Sequence, residues 1–165
     1  MHDVIGVDLS YSATGIAWSE GEDIYCTSEK DGELYERAAI IAAHVGHFAD
    51  HSDLVVIEAG VYMSRSAFML GILHGLVYKR IESRQVLRVT PSQLKQYAAG
   101  SGKATKTEMV VNARERLGYT GFDDNEADAA WLRAIGHAML GDPLVDLPAK
   151  NKKALTKLVL PSDCP

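Results

Sequence analysis

Apolar residues along this chain follow two rhythms, short β-branched runs near the start and three-to-four-residue spacings further on. Val4, Ile5 and Val7, then Gly15-Ile16-Ala17-Trp18, predict strands over 3–9 and 14–20, joined by the polar turn Ser10-Tyr11-Ser12, with a third strand over 23–28. Within ELYERAAIIAAHVGHF, the residues Leu34, Ala38, Ile41, Val45 and Phe48 recur at helical spacing. DLVVIEAG is short and continuously apolar, the form of a strand buried on both faces, and it ends in Glu58. A helix over 65–83 is predicted next, with Phe68, Ile72 and Leu76, joined by Met69, Leu73 and Val77, giving a broad apolar surface. QVLRVT predicts a fifth strand, and Thr90-Pro91 opens a helix with proline at its first position.

AAGSGKATKT predicts a flexible glycine-rich loop leading into a helix over 105–117. DDNEADAAWLRAIGHAML is the last helix, with Ala127, Ala130, Trp131, Ala134, Ile135 and Ala138 on its apolar face. Pro143, Pro148 and a lysine cluster follow, so residues 142–165 are expected to form a tail with little core of its own beside one domain over 1–141. Three strands followed by alternating helices and strands indicate an α/β layer fold with a mixed sheet.

The anomaly in this pattern is Asp8, a carboxylate inside an apolar strand, where a bare charge costs several kcal/mol unless something compensates it. Glu58 repeats the anomaly at the end of another apolar run. Asp128 lies on the last helix, and Asp124 one turn earlier shares its face. Singly, each acid has an ordinary structural use. Asp8 fits a bond to turn amides, Asp123 a helix cap with Glu126 completing a capping box, and Asp124 a complement to the helix dipole. Jointly, acids at strand ends and on a helix packed against that sheet converge, and their mutual repulsion is relieved by divalent cations. Oxygen-only ligands suit Mg²⁺ or Mn²⁺, and two such ions about 4 Å apart are the apparatus of phosphodiester hydrolysis.

Charge sharpens this picture. The 165 residues carry a net −5, yet residues 1–60 hold 2 Lys/Arg against 12 Asp/Glu, whereas residues 79–116 hold 9 against 3. An acidic half joined to a basic stretch can hold cations in one place and a phosphate backbone beside it. No apolar run reaches the ~18 residues that a bilayer span needs, and no basic-then-apolar segment opens the chain, so a cytoplasmic location is expected. Cys26 and Cys164 lack metal-ligand spacing and are read as reduced thiols.

At this point the chain resembles the RuvC family of Holliday-junction resolvases, within the ribonuclease-H-like superfamily. IGVDLSYSATGIA is similar to the family's first-strand motif, with the catalytic Asp at Asp8. VVIEAGVYMSRSAFMLGILHG resembles the segment that begins with the catalytic Glu, here Glu58, and runs into the interface helix. VTPSQLKQYAAGSGKATKTEMV and DDNEADAAWLRAIGHA resemble the DNA-contacting loop and the final acidic helix. The resemblance implies a five-stranded mixed sheet and a homodimer that cuts opposed strands of a four-way DNA junction. It also implies a site with Mg²⁺ or Mn²⁺, two ions held by Asp8, Glu58 and Asp128. Where the family usually has an acid or His three positions before that last Asp, this chain has Asn125; Asp124 is the preferred fourth ligand, with the Asn125 carbonyl as the alternative. Lys95, Lys103 and Lys106 match basic positions suited to phosphates, and Tyr62 and Arg65 are expected at the junction centre. The short form points to a bacteriophage-type member, active in the host bacterial cytoplasm.

Other signals are set aside. GSGKAT fails as a nucleotide phosphate loop, because Tyr97 replaces the first Gly and Ala104 the Ser/Thr, so no nucleotide cofactor is expected. His44, His47 and His51 recur at helical spacing without a second cluster that would make a zinc site. Three rival readings remain: a nuclease for flaps and forks, a silent junction-binding module, and an actin-like nucleotide-binding lobe, which needs a second lobe.

Overall fold

The computed structural model describes residues 2–19, 21–25, 32–60 and 67–162, with backbone alone over 22–25. Tyr62, Arg65, Cys26 and Cys164 therefore lie outside the described residues. Strands β1 (Val4–Asp8), β2 (Thr14–Trp18), β3 (Gly21–Tyr25), β4 (Leu54–Glu58) and β5 (Val86–Val89) form one sheet in the order β3-β2-β1-β4-β5. β1 pairs antiparallel with β2 and parallel with β4, and β4 pairs parallel with β5, so the sheet is mixed as expected. β3 begins earlier than the sequence indicates, because its antiparallel register sets Gly21 opposite Trp18.

Alternation along the central strands feeds two cores. Ile5, Val7, Val55 and Ile57 pack beneath α1 (Leu34–Ala49) and α2 (Ala67–Arg80). Val4, Leu54 and Val56 face the opposite layer, built from α3 (Pro91–Ala99), α4 (Lys106–Leu117) and α5 (Asp124–Met139). Thr90 and Thr105 cap α3 and α4 through reciprocal capping boxes with Gln93 and Glu108, and Gly100 and Gly118 end them in the left-handed conformation that glycine adopts without strain. The glycine-rich segment expected to be flexible is thus a short turn between two capped helices, pinned by buried Ala104. Among the described residues, no helix is long and apolar enough to cross a membrane.

Two expectations are corrected. On α2, Leu73 and Val77 are fully buried and Ile72 and Leu76 pack partly buried against the same core, while Phe68 and Met69 are exposed, so only the N-terminal part of the broad apolar surface faces away from the core. The segment after Gly141 does reach the core: Leu147 and Ala154 join the α3–α5 cluster. Short α6 (Ala149–Lys152) is held there by Asn151, whose buried amide donates to the Tyr97 carbonyl at 2.7 Å. Too few apolar residues in this stretch are periodic for the pattern to announce it.

Candidate active site

Two strand ends build the floor of a cleft. Val7 is paired with Ile57 across the parallel neighbours β1 and β4, so the next residues, Asp8 and Glu58, stand side by side at one edge of the sheet. Val7 and Ile57 enter the α1–α2 layer, which turns Asp8 and Glu58 to the other face, toward α5. Crevices at the carboxyl ends of parallel strands are where α/β sheets place ligands.

Three glycines set the course of α5 over this floor. A Cβ at Gly15 would lie 2.5 Å from the carbonyl carbon of Asn125, and one at Gly6 would lie 2.5 Å from the backbone nitrogen of Arg133. At Gly136 it would lie 2.5 Å from Val4 Cγ1. The first half of α5 therefore overlies the end of β1, which brings Asp124 and Asp128 toward Asp8. Asp123 caps the helix as expected, its Oδ1 accepting from the backbone N–H of Asn125 at 2.8 Å and of Glu126 at 3.3 Å. No capping box completes it, because the Glu126 carboxylate accepts from the Tyr119 hydroxyl instead. The Asn125 side-chain amide donates to the same Asp123 oxygen at 3.1 Å.

The acids interact strongly. Burial, then the charges of Glu58 and Asp124, push Asp8 up to about 7. Burial and then Asp128 raise Glu58 to about 7, and burial followed by Asp8 and Asp124 raises Asp128 to about 7. Lys95 on α3 opposes the shift at Glu58 and Asp128, and Lys106 at the start of α4 opposes it at Asp8 and Asp128. Lys106 donates directly to Asp124, which raises its own ammonium above the ordinary lysine value. Asp128 Oδ1 is buried without a hydrogen-bond partner. Among the described residues, no three His, Cys, Asp or Glu side chains are drawn together tightly enough to clasp one ion as they stand. Even so, three half-buried carboxylates and an orphaned oxygen are short of positive charge, and an all-oxygen donor set fits a hard divalent cation.

These shifts have a testable consequence for the metal-free protein. Each raised carboxyl binds its proton more tightly folded than unfolded, so its stabilising contribution is complete below the unfolded values of 3.8 and 4.5. That contribution is lost as pH rises to about 7. Thermal melts in a chelating buffer are expected to show stability from this cluster falling across that window, and Mg²⁺ or Mn²⁺ is expected to raise the melting temperature more at pH 8 than at pH 5.

Of the remaining expected residues, Lys103 is exposed in the turn before α4, without an ion pair among the described residues. His74 on α2 went unmarked in the sequence, yet it lines the same cavity as Asp8, Glu58 and Gly60, and burial lowers its pKa. A lone histidine among apolar helix residues carries no signal of this. His137 is structural, fully buried, with Nδ1 3.2 Å from Asp142 Oδ1. Tyr97 is a core residue in edge contact with Trp131.

Sheet order, helix placement and this acidic cleft define a ribonuclease-H-like α/β protein. Crossover junction endodeoxyribonuclease RuvC of Burkholderia lata is 30% identical over 159 residues, spanning 93% of this chain and 85% of that protein. The RuvC of Burkholderia pseudomallei is 29% identical with the same coverage. Thermus thermophilus RuvC matches in structure with a TM-score of 0.69 at 22% identity, covering 86% of this chain and 98% of that one. T. thermophilus RuvC in complex with Holliday junction substrate gives a TM-score of 0.71 at 23% identity, with coverages of 87% and 98%. No protein-family model matches. The chain belongs to the RuvC family of crossover junction endodeoxyribonucleases.

Proposed function

We propose that this protein is a metal-dependent endonuclease that resolves four-way DNA junctions by paired, symmetric nicks. The observation that carries this is the cleft itself: Asp8, Glu58 and Asp128 all raised to about 7 at the parallel strand ends of a RuvC-family chain, with Asp128 Oδ1 unpartnered. Asp8, Glu58 and Asp128 would hold two Mg²⁺ ions, with Mn²⁺ as substitute. Asp124 is the fourth ligand in preference to the Asn125 carbonyl, because a carboxylate offsets the charge of a hard cation and a neutral amide does not. When bound, the metal supplies an activated water and neutralises charge on the phosphate, leaving a 5′-phosphate.

The chain's own residues hold and orient the substrate. Lys95 and Lys106, at the mouth of the cleft, and Lys103 beside it meet phosphates, which sets register without reading sequence. Tyr62 and Arg65, shortly after Glu58 in the chain, are assigned to the junction centre. Two active sites on one junction require two copies. The outward face of α2 provides the apolar surface for that homodimer: Phe68 is 78% exposed, and the Cβ positions of Gly71 and Gly75 meet nothing within 4 Å.

The test is cleavage of a synthetic four-way junction beside Y-shaped and flap DNAs with Mg²⁺. Nicks at symmetry-related positions, confined to the junction and abolished by chelation, are expected. Equal cutting of all branches would replace this reading with a general branched-DNA nuclease.

A further inference from the structure

A groove leaves the acidic cleft along α4. It starts between Lys106 and Asp124 and runs past Val111 to Arg114 and Phe122. A second depression, sharing Val111 and Arg114, continues it to Gly118 and Thr120. Phe122 precedes the cap of α5 and is 77% exposed, so its ring contributes little to either core. The Arg114 guanidinium carbon lies 4.4 Å from the centroid of that ring, a cation–π stack. Val111, 45% exposed, adds an apolar floor between them and the cleft.

An open aromatic ring, a guanidinium stacked on it and an ammonium at the cleft end share one groove. The ring suits a nucleobase, whose π-face stacks whatever its sequence, and the two cations suit the phosphates on either side. Continuity with the cleft through Asp124 and Lys106 decides between occupants, because a strand leaving the site of cutting runs directly into the groove. We propose that Phe122, Arg114 and Lys106 form a docking site for an unpaired nucleotide of the branched DNA, on the strand that exits the acidic cleft. This rests on the nuclease reading above.

The test uses four-way junctions carrying 2-aminopurine at successive positions flanking the nick, bound without divalent cation so that the DNA stays whole. Stacking quenches the probe. Wild-type protein is expected to quench it at one or two positions, Phe122→Ala to lose that quenching, and Phe122→Tyr to keep it. Junction affinity of Phe122→Ala is expected to fall roughly tenfold, in the range for loss of one base stack. Arg114→Ala is expected to weaken binding and lower the slope of affinity against salt by about one counterion. Because Phe122 is exposed, the melting temperature is expected to be unchanged. A Phe122→Ala protein with wild-type quenching and affinity within twofold would overturn the groove alone, provided that the wild type still binds and nicks the junction. If the wild type does neither, the nuclease reading falls and the groove falls with it.

Discussion

Asp8→Asn is expected to reduce junction nicking by on the order of 10³-fold or more, while raising the melting temperature of the metal-free protein at pH 8. The two halves have one cause. Asp8 is held up near 7 by burial and by Glu58 and Asp124, so its ionised form is an unfavourable component of the folded state at alkaline pH. The amide keeps the shape and removes the charge, which relieves that cost. It also removes an anionic metal ligand, and a loss of ~4 kcal/mol in transition-state stabilisation corresponds to the stated rate effect. Junction affinity is expected to stay within a few-fold of wild type, since phosphate contacts by lysines dominate binding to DNA. Rate assays, melts and gel shifts on one preparation separate the possibilities. A purely structural Asp8 would lose stability on substitution; a functional one loses rate and gains stability. Unchanged nicking would remove Asp8 from the chemistry.

Much of this cleft was legible in the sequence because both strand-end acids close β-branched runs. Strands β1 and β4 end on Asp8 and Glu58, and the predicted strands enclose them. Asp128 was legible for another reason: the helical spacing of Ala127, Trp131 and Ala134 places it beside the buried face. Pairings distant along the chain were not. Nothing local marks Lys106 as the partner of Asp124, eighteen residues later, or joins Arg114 to Phe122 across a turn. Exposed Phe68 and buried Leu73 look alike in a periodic pattern, so the core side of α2 needed the sheet beneath it. The docking of 142–162 rests on a polar anchor, Asn151 on the Tyr97 carbonyl, and hydrophobic patterning is blind to polar anchors.

Glycine was the most consequential omission, and Gly6→Ala is where its effect should be largest. In a strand, glycine weakens local structure and earns its place only where another backbone comes close. At Gly6 that backbone is α5: an added Cβ would fall inside contact distance of the Ala129 carbonyl and 2.5 Å from the Arg133 nitrogen. Neither is the free end of a side chain, so no rotamer change relieves the clash. Either α5 lifts or β1 buckles. Lifting α5 strains the Arg133 Nε bond to the Val4 carbonyl, now 3.2 Å, and loosens Trp131 and Ala134 from the core. Overpacking of this kind costs about 3 kcal/mol or more when rigid atoms oppose it. For a chain of this length that corresponds to a drop of roughly 6–12 °C in melting temperature. Nicking is expected to fall about 10²-fold in the variant that remains folded, because a shift of ~1 Å in α5 carries Asp124 and Asp128 away from Asp8. Gly15→Ala, against the Asn125 carbonyl, is expected to behave alike, since the same helix is displaced at its acidic end. Melting within 3 °C of wild type for Gly6→Ala would mean that α5 yields freely, and that the meeting of the acids does not depend on the close approach these glycines permit.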